Sequence, residues 1–235
     1  RQQRLDPPQR QRQWRGDRAR WCDSIPQCRR SFLSTVSSLI PSPSVLWEAP
    51  TSSVLAGEEP GWLPGPWRLM LLGDGSPTRH LRLLTGHSVQ VRLIAMDADA
   101  NLDEQAGGPR PTEVQELEPP LLRRQVWLTC GDTTLAWAES WWNRDEAERS
   151  LSNREQPIWL SLTQGRSELF REVDGLALVS EPWLEEGFGE RGPFWSRHYR
   201  FFRQGRELTV IREVFSPALE RWLGEAPRRP LHASS

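Results

Sequence analysis

Two pairs of apolar–polar alternating runs flank short glycine-containing turns. Leu122–Cys130 and Thr134–Trp142 lie on either side of Gly131-Asp132; Phe194–Arg203 and Glu207–Phe215 lie on either side of Gln204-Gly205. Such runs around such turns predict two β-hairpins. Ser88–Met96 puts Val89, Val91 and Leu93 on one side and predicts a further strand, and Gly175–Val179 predicts another. Between the strands the period changes. Ser76-Pro77 opens a helix whose apolar side is Leu81, Leu83 and Leu84, and Gly86 ends it. Helices are also expected over the acidic stretch Asn143–Ser152, around Ser161–Val173, and from Ser216-Pro217 through Trp222. Hairpins with intervening helices predict an α+β domain, a single antiparallel β-sheet with helices packed on one side.

The flanking segments carry weaker patterns. Residues 1–20 contain seven arginines and little to bury, which predicts a disordered tail; a nucleic-acid arm is the sharper alternative. In residues 21–40, Ile25, Phe32, Leu33, Val36 and Leu39–Ile40 stand loosely at helical spacing. Residues 41–66 are rich in Pro, Ser and Gly and read as a loop. Trp67–Leu72 is a short apolar segment at which the ordered core begins, and residues 98–120 read as a long acidic loop. The expected organisation is a tail (1–20), a helix and connector (21–66), one domain (67–225) and a flexible end (226–235).

Composition narrows the function. No apolar run approaches the ~18 residues that would span a bilayer, and the first twenty residues hold no secretory signal. A net charge of −1 gives no global field for nucleic acid or acidic membranes. All thirty basic residues are arginine, which excludes chemistry needing a lysine amine, such as Schiff bases and P-loops. Cys22, Cys28 and Cys130 make no disulfide framework and read as reduced thiols. His80, His87, His198 and His232 show no metal-ligand spacing, so no metal is assigned. These features suit a cytoplasmic protein with no nucleic-acid partner and no membrane span; that it is a monomer acting on a small molecule is a separate expectation.

Strand alternation singles out two charged residues. Side chains two apart share a face, so Arg124 lies with Leu122, Val126, Leu128 and Cys130. A buried guanidinium needs an anion. That anion is either a protein carboxylate, with Glu139 across the hairpin or Glu213 as candidates, or a bound ligand. Glu213 lies with Thr209, Ile211 and Phe215, while Arg212 lies with Leu208, Val210 and Val214, so both faces look partly apolar there. A ligand could separate Arg124 on a carboxylate from Glu213 on a hydroxyl or ether oxygen. The turn before Thr78 offers free N–H groups to an anion, unless Asp74 or Ser76 merely caps the helix.

At these residues the sequence resembles the chorismate lyase family, the chorismate–pyruvate lyases, and within it the branch of oxygenic phototrophs. The segments are LLGDGSPTRHLRLLTG (71–86), LLRRQVWLTCGDTTLAWAESWW (121–142), LSLTQGRSELFRE (160–172) and RELTVIREVFSP (206–217). The resemblance implies that Arg124 binds the acid and that Glu213 is the active-site glutamate. It implies backbone contacts to the ligand near Ser76, Pro77 and Thr78 and near Gln164 and Gly165. It also implies cleavage of chorismate to 4-hydroxybenzoate and pyruvate without metal or organic cofactor, for quinone and specifically plastoquinone synthesis. At Pro77 and Gln164 the side chains depart from the apolar residues typical of bacterial members. The same fold serves as the effector-sensing domain of bacterial repressors, so a non-catalytic module binding a small anion is the alternative.

Overall fold

Each hairpin expected from alternation forms, and a two-residue offset between the arms of each is then altered by a bulge. The computed structural model describes residues 39–58, 63–98, 109–151, 157–163 and 168–228. The expected tail, nearly all of the 21–40 helix, Cys22, Cys28, His232, Gln164 and Gly165 lie outside the described residues.

In chain order come β1 (Ser44–Pro50), α1 (Thr51–Leu55), α2 (Gly65–Leu72), α3 (Pro77–Thr85), β2 (Val89–Ala98) and a 3-10 turn (Thr112–Glu116). Then follow β3 (Leu121–Cys130), β4 (Thr133–Asn143), α4 (Arg144–Ser150), α5 (Ile158–Thr163) and β5 (Phe170–Ser180). The chain continues with α6 (Pro182–Phe188), β6 (Phe194–Arg203), β7 (Arg206–Phe215), a second 3-10 turn (Pro217–Leu219) and α7 (Glu220–Leu223). The strands form a single seven-stranded sheet in the order β1-β5-β6-β7-β4-β3-β2, and every neighbouring pair is antiparallel.

Three local expectations change. The stretch read as a loop over 41–66 contains β1 and α1, so the sheet begins before Trp67. Flanking Pro and Ser hide a strand whose Trp47 ring meets Trp195 edge-on at 5.9 Å. Trp67–Leu72 is the body of α2, with Pro66 in its first turn. The helix expected over Ser161–Val173 is instead the short α5 followed by the start of β5. Pairing of Phe170 with Phe202 and Arg171 with Phe201 overrides local helical preference. The unforeseen α6 carries ordinary boundary signals: Pro182 in its first turn and Gly189 in the left-handed conformation after its end.

One face of the sheet carries the larger core. Leu71, Leu81, Val126, Leu128, Ala136, Leu176, Trp195 and Phe215 pack there with α2, α3 and α7, and Trp142, Tyr199, Phe201 and Ile211 extend it under α4 and α5. The other face is also covered, as the two partly apolar sides of β7 suggested. There α6 lays Leu184 on Trp127, Trp137 and Phe194, and the first 3-10 turn sets Val114 against Trp141 and Val210.

A buried ion cluster lies on this second face. Glu139, 1% exposed, accepts from Arg123 Nε at 3.0 Å and Arg212 Nη1 at 3.2 Å, and Ser42 Oγ donates to it at 3.1 Å. Glu139 is therefore not the partner of Arg124, because it points to the opposite face. The reason is a bulge at Leu135: Leu128 pairs with Ala136 but Thr129 pairs with Thr134. A one-residue shift sends each following side chain to the other face. Arg124 consequently stands opposite Ser140, and Gln125 stands opposite Glu139.

Removing one member of a buried charge cluster leaves the others uncompensated, at a cost of about 3–5 kcal/mol. Glu139→Ala is expected to lose stability of that order in urea unfolding, while an exposed control such as Glu190→Ala stays near wild type.

Candidate functional site

Arg124 is 3% exposed, and burial pulls its pKa down to about 10, so the guanidinium remains charged at neutral pH. Glu213 shares its face. Arg124 pairs through Ser140 to Ile211, and Glu213 pairs through Ala138 to Val126. The two are thus two strands apart and offset by two residues, about 10 Å across the strands and about 7 Å along them. Between them opens a cavity with about 40 Å³ of room for the centres of water-sized molecules, within about 460 Å³ of non-atom space that includes its open mouth. Arg124, Ser140, Ile211 and Glu213 form its floor, Tyr199, Phe201 and Arg171 one wall, and Ser76–Thr78 with Pro157–Ile158 its roof.

Glu213 is held from the side. Arg197 Nε donates to its Oε2 at 2.8 Å and the Tyr199 hydroxyl donates to its Oε1 at 2.7 Å. Burial, and then the neighbouring Glu213 charge, push the Tyr199 pKa up, so it stays a neutral phenol. Arg197 stands directly opposite Glu213 on β6 and is fully buried. Its Nη1 donates to the carbonyls of Met70 at 3.0 Å and Gly73 at 2.9 Å, and its Nη2 to Gly75 at 3.3 Å. These carbonyls belong to the last turn of α2 and the loop beyond it. A helix C-terminus leaves such oxygens unsatisfied and favours a cation. One guanidinium therefore neutralises Glu213, caps α2 and fastens the α2–α3 turn to the sheet.

That turn delivers the start of α3. Ser76 is the N-cap residue but makes no side-chain cap; its hydroxyl lies 2.8 Å from that of Thr78. Ordinary capping by Ser76 is thus not its role. A Cβ at Gly75 would lie 2.0 Å from His80 Nε2, so any side chain there would displace the His80 ring. Burial, and then the Arg197 charge, lower the pKa of His80.

The sequence-predicted residues Arg124, Glu213, Ser76, Pro77 and Thr78 line one cavity; Gln164 and Gly165 lie outside the described residues. Sequence reasoning missed Arg197, Tyr199 and Arg171. The signal for Arg197 was present: alternation along β6 sets it between Trp195 and Tyr199, as it set Arg124 between Leu122 and Val126. A metal could be held by Glu113, Asp174 and His198 on the opposite face, whose ligand atoms lie within 4.8 Å of one another. Arg200 occupies Asp174 there, with Nη2 at 2.7 Å from Oδ1. Among the described residues no helix is long and apolar enough to cross a membrane.

A family model described as chorismate pyruvate-lyase, Rv2949c-like, matches residues 71–223. The uncharacterized protein ycf21 of Porphyra purpurea is 33% identical over 165 residues, covering 69% of this chain and 87% of that protein. Its namesake in Cyanophora paradoxa is 29% identical over 177 residues, covering 75% and 90%. Among solved structures, the effector domain of PhnF from Mycobacterium smegmatis aligns with a TM-score of 0.47 and 16% identity, covering 63% of this chain and 93% of that one.

The His80 environment predicts a pH dependence. Its folded pKa lies below the ordinary value of 6.5, so below that pH the unfolded chain binds a proton that the folded chain refuses. Stability from this group is complete above 6.5 and is lost as pH falls towards the folded pKa. The urea midpoint of wild type is expected to drop more between pH 7.5 and about 5.5 than that of His80→Gln.

Proposed function

This chain belongs to the chorismate pyruvate-lyase Rv2949c-like family, and on that premise we propose that it cleaves chorismate to 4-hydroxybenzoate and pyruvate. The observation that carries the reading is the separation of Arg124 and Glu213 across one cavity, with Glu213 neutralised by Arg197 rather than by Arg124. An aromatic acid carries the matching groups, a carboxylate for Arg124 at one end and a hydroxyl for Glu213 at the other. Arg124 holds the ring carboxylate, where a paired guanidinium contact sets both affinity and orientation. Glu213 faces the ring hydroxyl. A carboxylate offers roughly four lone-pair sites; Arg197 and Tyr199 take one on each oxygen, which leaves acceptor capacity for a ligand. The start of α3, where Ser76, Pro77 and Thr78 line the cavity, receives the enolpyruvyl carboxylate. The family resemblance further assigns ligand contacts to the backbone at Gln164 and Gly165.

The reaction asks for binding more than for strong acid–base chemistry. The ether bond between the ring and the enolpyruvyl group breaks. The hydrogen on the neighbouring hydroxyl-bearing carbon leaves as a proton, and the ring becomes aromatic with that hydroxyl as its phenol. The enolpyruvate gains a proton on its methylene carbon and becomes pyruvate. Aromatisation supplies the driving force, so holding the flexible dianion in one reactive geometry supplies the rate. Glu213 is placed to accept a hydrogen bond from the hydroxyl as the ring flattens. No metal or organic cofactor enters this reading. We assign the activity to a cytoplasmic monomer whose product feeds quinone synthesis, plastoquinone in a phototroph; this rests on the family.

A second reading, a module that binds a small anion without turning it over, draws on Glu213 already having both oxygens hydrogen-bonded. Turnover separates the two. Purified protein given chorismate is expected to release pyruvate and 4-hydroxybenzoate in equal amounts. Arg124→Ala is expected to lower kcat/KM by ~100-fold or more, about 2.7 kcal/mol of lost transition-state binding. A folded Arg124→Ala protein working at the native rate would refute the assignment. Absence of both products from folded wild type would favour the binding module.

A further inference from the structure

The cavity wall contains a second guanidinium that the ring-carboxylate contact does not use. Arg171 stands on β5 opposite Phe201, and its guanidinium carbon lies 4.6 Å from the Tyr199 ring centroid and 4.5 Å from that of Phe201. One amino group, Nη1, donates to the carbonyls of Asp74 and Gly75, immediately before Ser76. The Nε–H is buried and has no acceptor within the described protein. Among the described residues Arg171 makes no ion pair. The neighbouring carboxylate, Glu213, is already paired with Arg197.

A planar cation lying against two mutually perpendicular rings and pinned at one end is pre-organised, and it loses little freedom when an anion arrives. Its buried, unaccepted N–H is a desolvated donor, which costs free energy until an acceptor fills it. The α3 start lies beside it through the Asp74 and Gly75 carbonyls, and both features border the same cavity. Arg124 and Arg171 sit on β3 and β5, with β4, β7 and β6 between them. Four strand spacings, about 19 Å, separate their backbones; Arg171 leans inward over β6, with its guanidinium carbon 4.6 Å from the Tyr199 ring centroid, and both arginines line the cavity.

We propose that Arg171, with the start of α3, forms a second anion subsite that makes this cavity select dianions over monoanions. This rests on the reading of the cavity as a chorismate site and adds the residue that tells substrate from product. Chorismate carries two carboxylates and needs both subsites. 4-Hydroxybenzoate carries one and needs only the Arg124 end. Cleavage removes the second carboxylate from the ring, so the aromatic product is left with the weaker grip and departs.

The test compares wild type, Arg171→Gln and Arg171→Lys. Tryptophan fluorescence on rapid mixing reads binding of chorismate and of 4-hydroxybenzoate, and pyruvate release reads turnover. Urea midpoints establish that each variant folds. Arg171→Gln is expected to weaken chorismate binding and raise KM by about 30-fold, while the 4-hydroxybenzoate Kd moves less than threefold; charge neutralisation of this kind is typical of a partly desolvated anion contact. Arg171→Lys, which keeps the charge, recovers part of the preference. Equal losses for both ligands, or no loss for chorismate, would overturn the subsite and leave the lyase reading intact. A wild type that prefers chorismate yet releases no pyruvate, with the preference gone in Arg171→Gln, would overturn the lyase reading and keep the subsite. A wild type that binds neither compound would overturn both.

Discussion

Arg197 is fully buried, and the acceptors that converge on it come from two distant parts of the chain: Glu213 on β7 and the carbonyls of Met70, Gly73 and Gly75 around the end of α2. A guanidinium cannot be taken from water unless its charge and its N–H groups are met. The five donors of its rigid fork can meet several oxygens at once. That requirement ties the helical layer to the sheet at one point. It also settles which charges face the cavity. Glu213 is matched by Arg197, and the guanidiniums of Arg124 and Arg171 line the same cavity.

The two faces of the sheet divide the buried charge between structure and site. On the second face Glu139 gathers Arg123, Arg212 and Ser42 into a network whose members satisfy one another. On the first face, charges surround a space. Adjacent residues Arg123 and Arg124 thus part company, Arg123 joining the Glu139 network and Arg124 lining the cavity, because neighbouring side chains on a strand point to opposite sides. Tyr199 links the parts of the first face: its hydroxyl fixes Glu213 and its ring supports Arg171. Substitutions there are expected to act on several contacts together, as in any connected polar network.

Much of the lining of the candidate site was legible. Arg124 and Glu213 were found as charged residues on apolar strand faces, and Ser76–Thr78 as a helix start that borders the same cavity. Arg197 was equally visible by alternation along β6. Arg171 was not, because its segment read as helix until pairing with β6 made it a strand. β1 was missed for a related reason: a strand bracketed by prolines lacks a clear local signal, and its place comes from pairing with β5.

What the sequence determined by itself was the set of faces: which residues along β3, β4, β6 and β7 share a side, where α3 begins, and that at least one buried cation needed an anion. These are local consequences of backbone period and of the cost of burying charge. What only the tertiary structure decided was the partner of each charge. A plain two-residue turn at Gly131-Asp132 would put Glu139 opposite Arg124, and the bulge at Leu135 puts Ser140 there instead. A plain turn at Gln204-Gly205 would put Arg212 opposite Arg197, and the shift at Leu208 puts Glu213 there. Each bulge moves the register by one residue and turns a charge to the other face. Leu135 and Leu208 are themselves buried in the core, so the packing that accommodates an extra residue is a property of the assembled layers. No local pattern in the chain announces it.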